Sequence, residues 1–252
     1  MKKALEVSVS KIKRKTFLGI PVDMADPDTV YETIENFFQD GKKHQIVLLT
    51  TDKILKAKMD QVYHRCLREA SLILPVSSAI IRGARFHGKG EFYRYNPYEV
   101  IIKTFMILEK LEKTVYLLGA RQEDLMEAEK NLKVSFPALK IIGRFSGYFN
   151  KEMEKKINLA IKKSSPSLIV VGKGVPGKEK WILKNKKEFN PGVSFWIDNY
   201  LEIFSGKEKN ISKGLFKLGL ENMSGFLRKP WKIFRFFSFI YFKFLVLIYK
   251  IA

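Results

Sequence analysis

Glycines at the ends of short apolar runs are the residues whose spacing points most directly to chemistry in this chain. Three runs each stop at a glycine, namely Val115–Leu118 at Gly119, Leu139–Ile142 at Gly143 and Leu168–Val171 at Gly172. A backbone without a side chain lets a phosphate or a nucleotide approach closely. Any single glycine could simply turn the chain, but three at equivalent positions favour a rim that accommodates a phosphate or a nucleotide.

The elements that must position this rim are strands alternating with helices. Apolar residues recur at helical spacing between the runs, as at Leu125, Ala128 and Leu132. This alternation predicts parallel βαβ units. Ligands of such sheets lie outside the carboxyl ends of the strands, where the glycines fall.

The N-terminal part shows the same alternation. Asp26 or Asp28 is predicted to cap a helix, and a strand follows over Gln45–Leu49. Thr50-Thr51-Asp52 comes next, with a second helix beginning near Lys53, and a further strand covers Leu72–Leu74. We therefore expect an α/β fold with a parallel, Rossmann-like sheet flanked by helices.

The charge of the chain indicates anionic partners. With 46 Lys and Arg against 26 Asp and Glu, the formal net charge is +20 and the pI about 9.8. Such a field attracts nucleic acid, anionic lipid or phosphorylated substrates. Since no nucleic-acid-binding motif is found and the basic residues are spread widely, no nucleic-acid partner is expected.

The only cysteine, Cys66, lies in a helical pattern and is predicted to be a buried structural thiol in a reducing compartment.

The C-terminal segment favours a membrane surface among these partners. At 100° per residue, its basic residues fall within a sector of roughly 120°; they are Arg228, Lys229, Lys232, Arg235, Lys243 and Lys250. The remaining face is aromatic and aliphatic, which is typical of a helix lying in the membrane interface. A terminal helix packed on the core and a tilted spanning helix with a snorkelling lysine are the alternatives.

Several segments together resemble the WecG/TagA/CpsF family of glycosyltransferases (glycosyltransferase family 26). The resemblance covers roughly Phe17 to Phe236, and its most specific part is the GYF segment Gly147–Phe149 with GxGxP at Gly172–Pro176. It implies a GT-E-type fold. It also implies inverting transfer of an N-acetylmannosamine-type sugar from a UDP donor to an undecaprenyl-diphosphate-linked acceptor, with no obligatory metal and no cofactor.

The resemblance is uneven at the residues that would do chemistry. The position of the aspartate proposed as the family's base is Val76, which cannot accept a proton. The family's Thr-x-Asn loop is Thr50-Thr51-Asp52, its glutamine in the Pro-Lys-Gln-Glu turn is Lys178, and the aspartate of its Phe-Asp pair is Glu202. Either the enzyme still transfers sugar with its charges relocated, or the chain is a degenerate member that binds a nucleotide, a glycolipid or a partner without turnover.

The first alternative is preferred and predicts a specific set of site residues. Asp52 is the candidate base, unless it merely caps the helix near Lys53, and Thr50 and Arg94 accompany it. Arg94 is predicted to be an unpaired arginine that could fork onto a diphosphate, and an interfacial arginine in contact with lipid headgroups is the alternative. The donor site is predicted to comprise Gly119, Gly143, Tyr148, Gly172, Gly174, Pro176, Lys178 and Glu202. Arg228 and Arg235 are the acceptor or diphosphate candidates.

The expected organisation is a core over 1–205 and a membrane-associating appendage over 206–252. The N-terminus lacks the apolar region of a signal peptide, so the protein is expected to be peripheral at the cytoplasmic face of the cell membrane. Its expected partners are a UDP-sugar, a polyprenyl-diphosphate-linked acceptor and an anionic membrane surface. Assembly into a homo-oligomer is left open.

Overall fold

A parallel sheet forms the centre of the protein in the computed structural model, which describes residues 12–90, 92–219 and 234–251. The strands of the described residues are β1 (Lys13–Phe17), β2 (Ile20–Met24), β3 (Lys43–Leu49), β4 (Leu72–Pro75), β5 (Thr114–Leu118), β6 (Lys140–Phe145), β7 (Leu168–Val171) and β8 (Gly192–Trp196). Strands β3 to β8 pair in parallel in the order β4-β3-β8-β7-β5-β6. The predicted α/β fold with a parallel sheet is confirmed.

Helices cover both faces of this sheet. They are α1 (Pro27–Phe37), α2 (Thr51–Met59), α3 (Gln61–Arg68), α4 (Ser78–Phe86), α5 (Pro97–Lys110), α6 (Gln122–Ser135), α7 (Lys151–Ser164), α8 (Glu179–Asn185), α9 (Tyr200–Phe204), α10 (Lys213–Lys217) and α11 (Phe234–Ile251). Alternate strand residues enter opposite cores: Leu48 packs under α1 and α5, whereas Val47 and Leu49 pack under α2 to α4. Because both faces are covered, β4 (LILP) and β7 (LIVV) are apolar and buried at every residue.

An antiparallel hairpin of β1 and β2, which the sequence did not predict, precedes the sheet. Its turn residues Leu18 and Gly19 both have positive φ, at 49° and 74°, as a two-residue hairpin turn that matches the strand twist requires. Asp23 of β2 accepts a hydrogen bond from the backbone of Ile73 at 2.6 Å, which attaches the hairpin to β4.

The prediction that a strand ends at Gly143 is wrong. Gly119 and Gly172 follow β5 and β7 directly, but Gly143 lies inside β6, which continues to Phe145. An added Cβ at Gly143 would lie 2.5 Å from the ring of Tyr116, beside a register shift in the pairing of β5 with β6. Gly143 therefore makes room for a neighbouring ring within the sheet.

Helix α11 packs on the core with one side and exposes the other. Phe242 is 1% exposed, and its ring lies 6.4 Å from that of Phe17. The exposed large apolar side chains of α11 are Phe237, Ile240, Tyr241, Phe244, Leu247, Ile248 and Tyr249. Within the described residues, no helix combines the length and apolarity needed to cross a membrane.

Candidate functional site

The carboxyl ends of β3, β4 and β8 open into a cavity of about 450 Å³. Since these three strands are adjacent in the sheet, their loops converge although they are far apart in the chain. The polar lining comprises Thr50, Thr51, Asp52, Lys53, Lys56, Tyr63, Ser77, Lys178, Glu179, Asp198, Asn199 and Tyr200, and the apolar lining comprises Leu48, Val76, Pro97, Ile211 and Phe216. The volume is in the range of ordinary small-molecule sites.

The first turn of α2 brings Asp52 to this cavity. The helix begins at Thr51, and the Oγ1 of Thr50 caps it by accepting a hydrogen bond from the backbone N–H of Lys53 at 3.3 Å. The alternative that Asp52 caps a helix beginning near Lys53 is therefore wrong. Asp52 is exposed and lines the cavity.

Val76 lies on the neighbouring strand end, in the lining of the same cavity. Its backbone N–H donates to the carbonyl of Leu49 at 3.0 Å, which continues the parallel pairing of β3 with β4. The valine side chain is 5% exposed. The strand ends that carry Asp52 and Val76 are therefore neighbours in the sheet.

A buried lysine contacts two carboxylates of the lining, an arrangement that no sequence pattern predicted. The Nζ of Lys53 is 2.7 Å from Oε1 of Glu179 and 3.5 Å from Oδ2 of Asp198. Burial favours the neutral amine, but the two carboxylates outweigh it and raise the pKa of Lys53 above its ordinary value, so the ammonium stays charged. Glu179 is only 1% exposed, whereas the side chain of Asp198 is 45% exposed.

Asp198 is held from two directions. Its Oδ1 accepts a hydrogen bond from Nε1 of Trp196 at 2.8 Å, and Lys53 approaches its other oxygen. Burial acts to raise the pKa of Asp198, but Lys53 and the bond from Trp196 together lower it below the ordinary value. This carboxylate is therefore ionised at neutral pH and fixed in orientation. The sequence feature that could have indicated Asp198 is its position just after the apolar run of β8.

Two further lysines give the cavity positive charge. Lys56 lies one helical turn beyond Asp52 and has its Nζ 4.2 Å from the ring centre of Tyr63. Burial lowers the pKa of Lys56. Lys178, just before α8, is exposed and adopts a positive φ of 55°. The site thus contains both cations and carboxylates.

Arg94 is engaged with the backbone and does not belong to this lining. It donates to the carbonyl of Val76 at 3.0 Å and to that of Phe216 at 2.6 Å, and it lies 3.8 Å from the centre of the Phe216 ring. The premise that Arg94 is unpaired is therefore wrong. Its guanidinium instead fastens α10 beside the loop that follows β4.

The glycine loops after β5, β6 and β7 pack tightly on one another beside the cavity. Backbone N–H groups of Gly172, Gly147 and Tyr148 donate to the carbonyls of Leu118, Ala120 and Gly174 at 2.7 to 2.8 Å. An added Cβ at Gly119 would lie 2.8 Å from Cα of Gly172. Of the predicted donor-site residues in the described chain, Lys178 reaches the cavity lining, whereas Gly119, Gly143, Tyr148, Gly172, Gly174, Pro176 and Glu202 do not.

Glu202 and Tyr148 occupy different environments outside that lining. Glu202 is 4% exposed, and burial raises the pKa of its carboxyl. Tyr148 is 61% exposed and has a left-handed φ of 62°, and its ring lies beside Gly174. Arg228 lies outside the described residues, and of Arg235 only the backbone, in α11, is described.

Comparison with known proteins identifies the family. A model of the Glycosyl transferase WecG/TagA/CpsF family matches residues 15–252, nearly the whole chain. The chain belongs to the WecG/TagA/CpsF family of glycosyl transferases.

Two relatives of this WecG/TagA/CpsF family member carry the same name, N-acetylglucosaminyldiphosphoundecaprenol N-acetyl-beta-D-mannosaminyltransferase. The protein of Bacillus subtilis (strain 168) is 22% identical over 222 residues, which cover 88% of this chain and 86% of the relative. That of Staphylococcus aureus (strain NCTC 8325 / PS 47) is 24% identical over 214 residues, 84% of each chain. The family predicted from the GYF and GxGxP segments is thereby confirmed.

Proposed function

We propose that this protein transfers an N-acetylmannosamine-type sugar from a UDP-sugar to a polyprenyl-diphosphate-linked acceptor at a membrane surface. The relatives support the acceptor class, since their name specifies a mannosaminyl transfer to a diphosphoundecaprenol-linked sugar. The observation that carries the proposal is the cavity at the carboxyl edge of the sheet, where carboxylates and lysines lie together.

The lining supplies groups for both halves of the reaction. Asp52 is the proposed base, which removes the proton of the acceptor hydroxyl as that oxygen attacks the anomeric carbon. Lys178 is the proposed partner of the departing diphosphate, because a cation stabilises the negative charge that develops on the leaving group. Val76 stands where the resemblance places a base and cannot act as one, which leaves the role to a carboxylate elsewhere in the cavity.

Helix α11 supports the membrane part of the proposal. Phe242 and Leu245 pack on the core, whereas Phe244 and Leu247 on the same helix are 55% and 50% exposed. One helix can therefore be attached to the protein and still present aromatic and aliphatic side chains to lipid. The alternative that the C-terminal helix simply packs on the core therefore describes only one side of α11.

The cavity and α11 are linked through α2. The first turn of this helix brings Asp52 to the cavity. Its last turn lies near α11, where Lys58 hydrogen-bonds the hydroxyl of Tyr249 and lies 4.2 Å from the centre of its ring. At 1.5 Å per residue, nine residues span only about 13 Å. A membrane bound by α11 would thus be close enough to present a lipid-linked acceptor to the cavity.

The decisive experiment combines calorimetry with turnover. Titration of the full chain with UDP should show binding, and a UDP-sugar with a polyprenyl-diphosphate-linked acceptor should yield a lipid-linked disaccharide and UDP. Absence of heat at millimolar UDP and UDP-sugars would contradict the donor assignment. Binding of UDP with no product from any amino-sugar donor would contradict the proposed transfer.

A further inference from the structure

The segment between β7 and β8 has the pattern of a nucleotide-binding turn. It reads Gly172-Lys173-Gly174-Val175-Pro176-Gly177, which is G-x-G-x-x-G directly after a buried strand. A helix and a parallel strand follow, and Val171 of β7 lies opposite Trp196 of β8. In βαβ units with this pattern, an acidic residue about 20 residues further on accepts hydrogen bonds from a ribose hydroxyl.

Asp198 stands at that position. It follows β8, has a positive φ of 48° and lines the cavity. Trp196 and Lys53 hold its two oxygens at 2.8 and 3.5 Å. A carboxylate has about four acceptor positions, so acceptor capacity remains on this cavity-lining side chain, which is 45% exposed.

The chemistry of this carboxylate selects a hydroxyl partner. A fixed negative charge repels a phosphate but accepts hydrogen bonds from neighbouring hydroxyls. Lys56 and Lys178, in the same lining, are the cations suited to the phosphates. A nucleoside diphosphate can therefore satisfy both sets of groups at once.

We propose that Asp198 accepts hydrogen bonds from the ribose hydroxyls of the nucleoside diphosphate donor, with Lys53 as the positioning residue that holds it. This assignment rests on the proposed donor and names the group of the donor that Asp198 recognises. Glu179 also contacts the ammonium of Lys53, at 2.7 Å, so two carboxylates hold it in place. The hydroxyls of the transferred sugar are the rival partners.

The test compares UDP, 2′-deoxy-UDP and 3′-deoxy-UDP by calorimetry. A hydrogen bond to a charged group contributes about 1.5–3 kcal/mol, so the wild type should bind UDP about 10- to 100-fold more tightly than at least one deoxy analogue. Asp198→Asn should bring that ratio close to one. Asp52→Asn, in the same cavity, is the matched control and should retain the preference.

Each other outcome contradicts the assignment in its own way. A wild type that binds UDP and both deoxy analogues equally overturns it without any variant, so the test stands even if Asp198→Asn does not fold. If Asp198→Asn keeps the ratio but raises the KM for the UDP-sugar, Asp198 contacts the transferred sugar instead. A wild type that binds none of these nucleotides overturns the proposed donor together with this assignment.

Discussion

Asp52 and Val76 follow adjacent strands, and only the first of them can accept a proton. We expect Asp52→Asn to reduce turnover with a lipid-linked acceptor by about 10²–10⁴-fold, the scale for loss of a general base. Its affinity for UDP should change little, because a carboxylate near a diphosphate does not help to bind it. Steady-state kinetics and calorimetry measure the two effects.

The control for this variant is Asp28→Asn. Asp28 is also an exposed acid in the first turn of a helix, α1, but it does not line the cavity. The control should therefore match the wild type in turnover. Normal turnover by Asp52→Asn would exclude the base role, and the first turn of α2 would keep its cap at Thr50.

Val76→Asp tests whether a base can be restored at the adjacent strand end. We expect activity equal to or higher than that of the wild type, with a loss of stability of about 1–3 kcal/mol because a 5% exposed valine is replaced by a polar group. Turnover and urea unfolding should be measured together. Val76→Asn is the isosteric control, since it has the shape of aspartate without the basicity. An inactive wild type with an active Val76→Asp would identify a degenerate transferase.

At the scale of elements, α2 depends on its cap. Thr50 accepts the hydrogen bond of the Lys53 backbone, so Thr50→Ala should lower the free energy of unfolding by about 1 kcal/mol. Thr50→Ser should retain most of that stability, as measured by urea unfolding. If Thr50→Ser is as stable as the wild type but loses turnover, the threonine has a role in the site beyond the cap.

The turn after β7 depends on Gly174. A valine there would place Cβ 2.6 Å from the ring of Tyr148 in a backbone with φ of 92°, which strains the turn and displaces the ring. We expect Gly174→Val to weaken UDP binding in calorimetry. Gly214→Ala is the control, because nothing lies within 4 Å of an added Cβ there and its φ is not in the left-handed region. Unchanged affinity of a folded Gly174→Val would separate this turn from the nucleotide.

At the scale of the whole molecule, the proposed role of α11 is to hold the protein at a membrane surface. We expect Phe244→Glu with Leu247→Glu to abolish binding to anionic vesicles, because both side chains are exposed while Phe242 and Leu245 keep the helix on the core. Flotation with phosphatidylglycerol vesicles measures this. Val134→Glu, a 75% exposed position on α6, is the control.

Removal of the C-terminal segment is a second test of membrane binding. Deleting the residues after about Ser224 should move the protein from the membrane fraction to the soluble fraction. The truncated core should fold but lose some stability, since Phe17 and the ring of His87 lose the helix that packs on them. Undiminished vesicle binding by the truncated protein would contradict the membrane role.

Lys243→Gln with Lys250→Gln should weaken the preference for anionic headgroups.

Much of the framework was predictable from local patterns. The run Leu168–Val171 is β7 as predicted, and Asp26 caps α1 by accepting a hydrogen bond from Thr29 at 3.0 Å. Cys66 is fully buried, and burial raises the pKa of its thiol to about 11, in agreement with a structural thiol. These features depend on neighbours in the chain or on burial of a periodic apolar pattern, so the sequence alone contains them.

Strand order, in contrast, was decided by the tertiary structure. β8 lies between β3 and β7, and this insertion brings Asp198 to Lys53, which also contacts Glu179. Local sequence patterns relate only residues that are close in the chain, so they could not predict the contacts of Lys53 with these two acids. The sequence by itself determined the α/β class, the family and the acid at the start of α2. Only the packed sheet decided that Gly143 accommodates a tyrosine ring, that Arg94 binds carbonyl groups and that Trp196 and Lys53 hold the carboxylate of Asp198 in the cavity lining, because each of these results from contacts that a local sequence pattern does not contain.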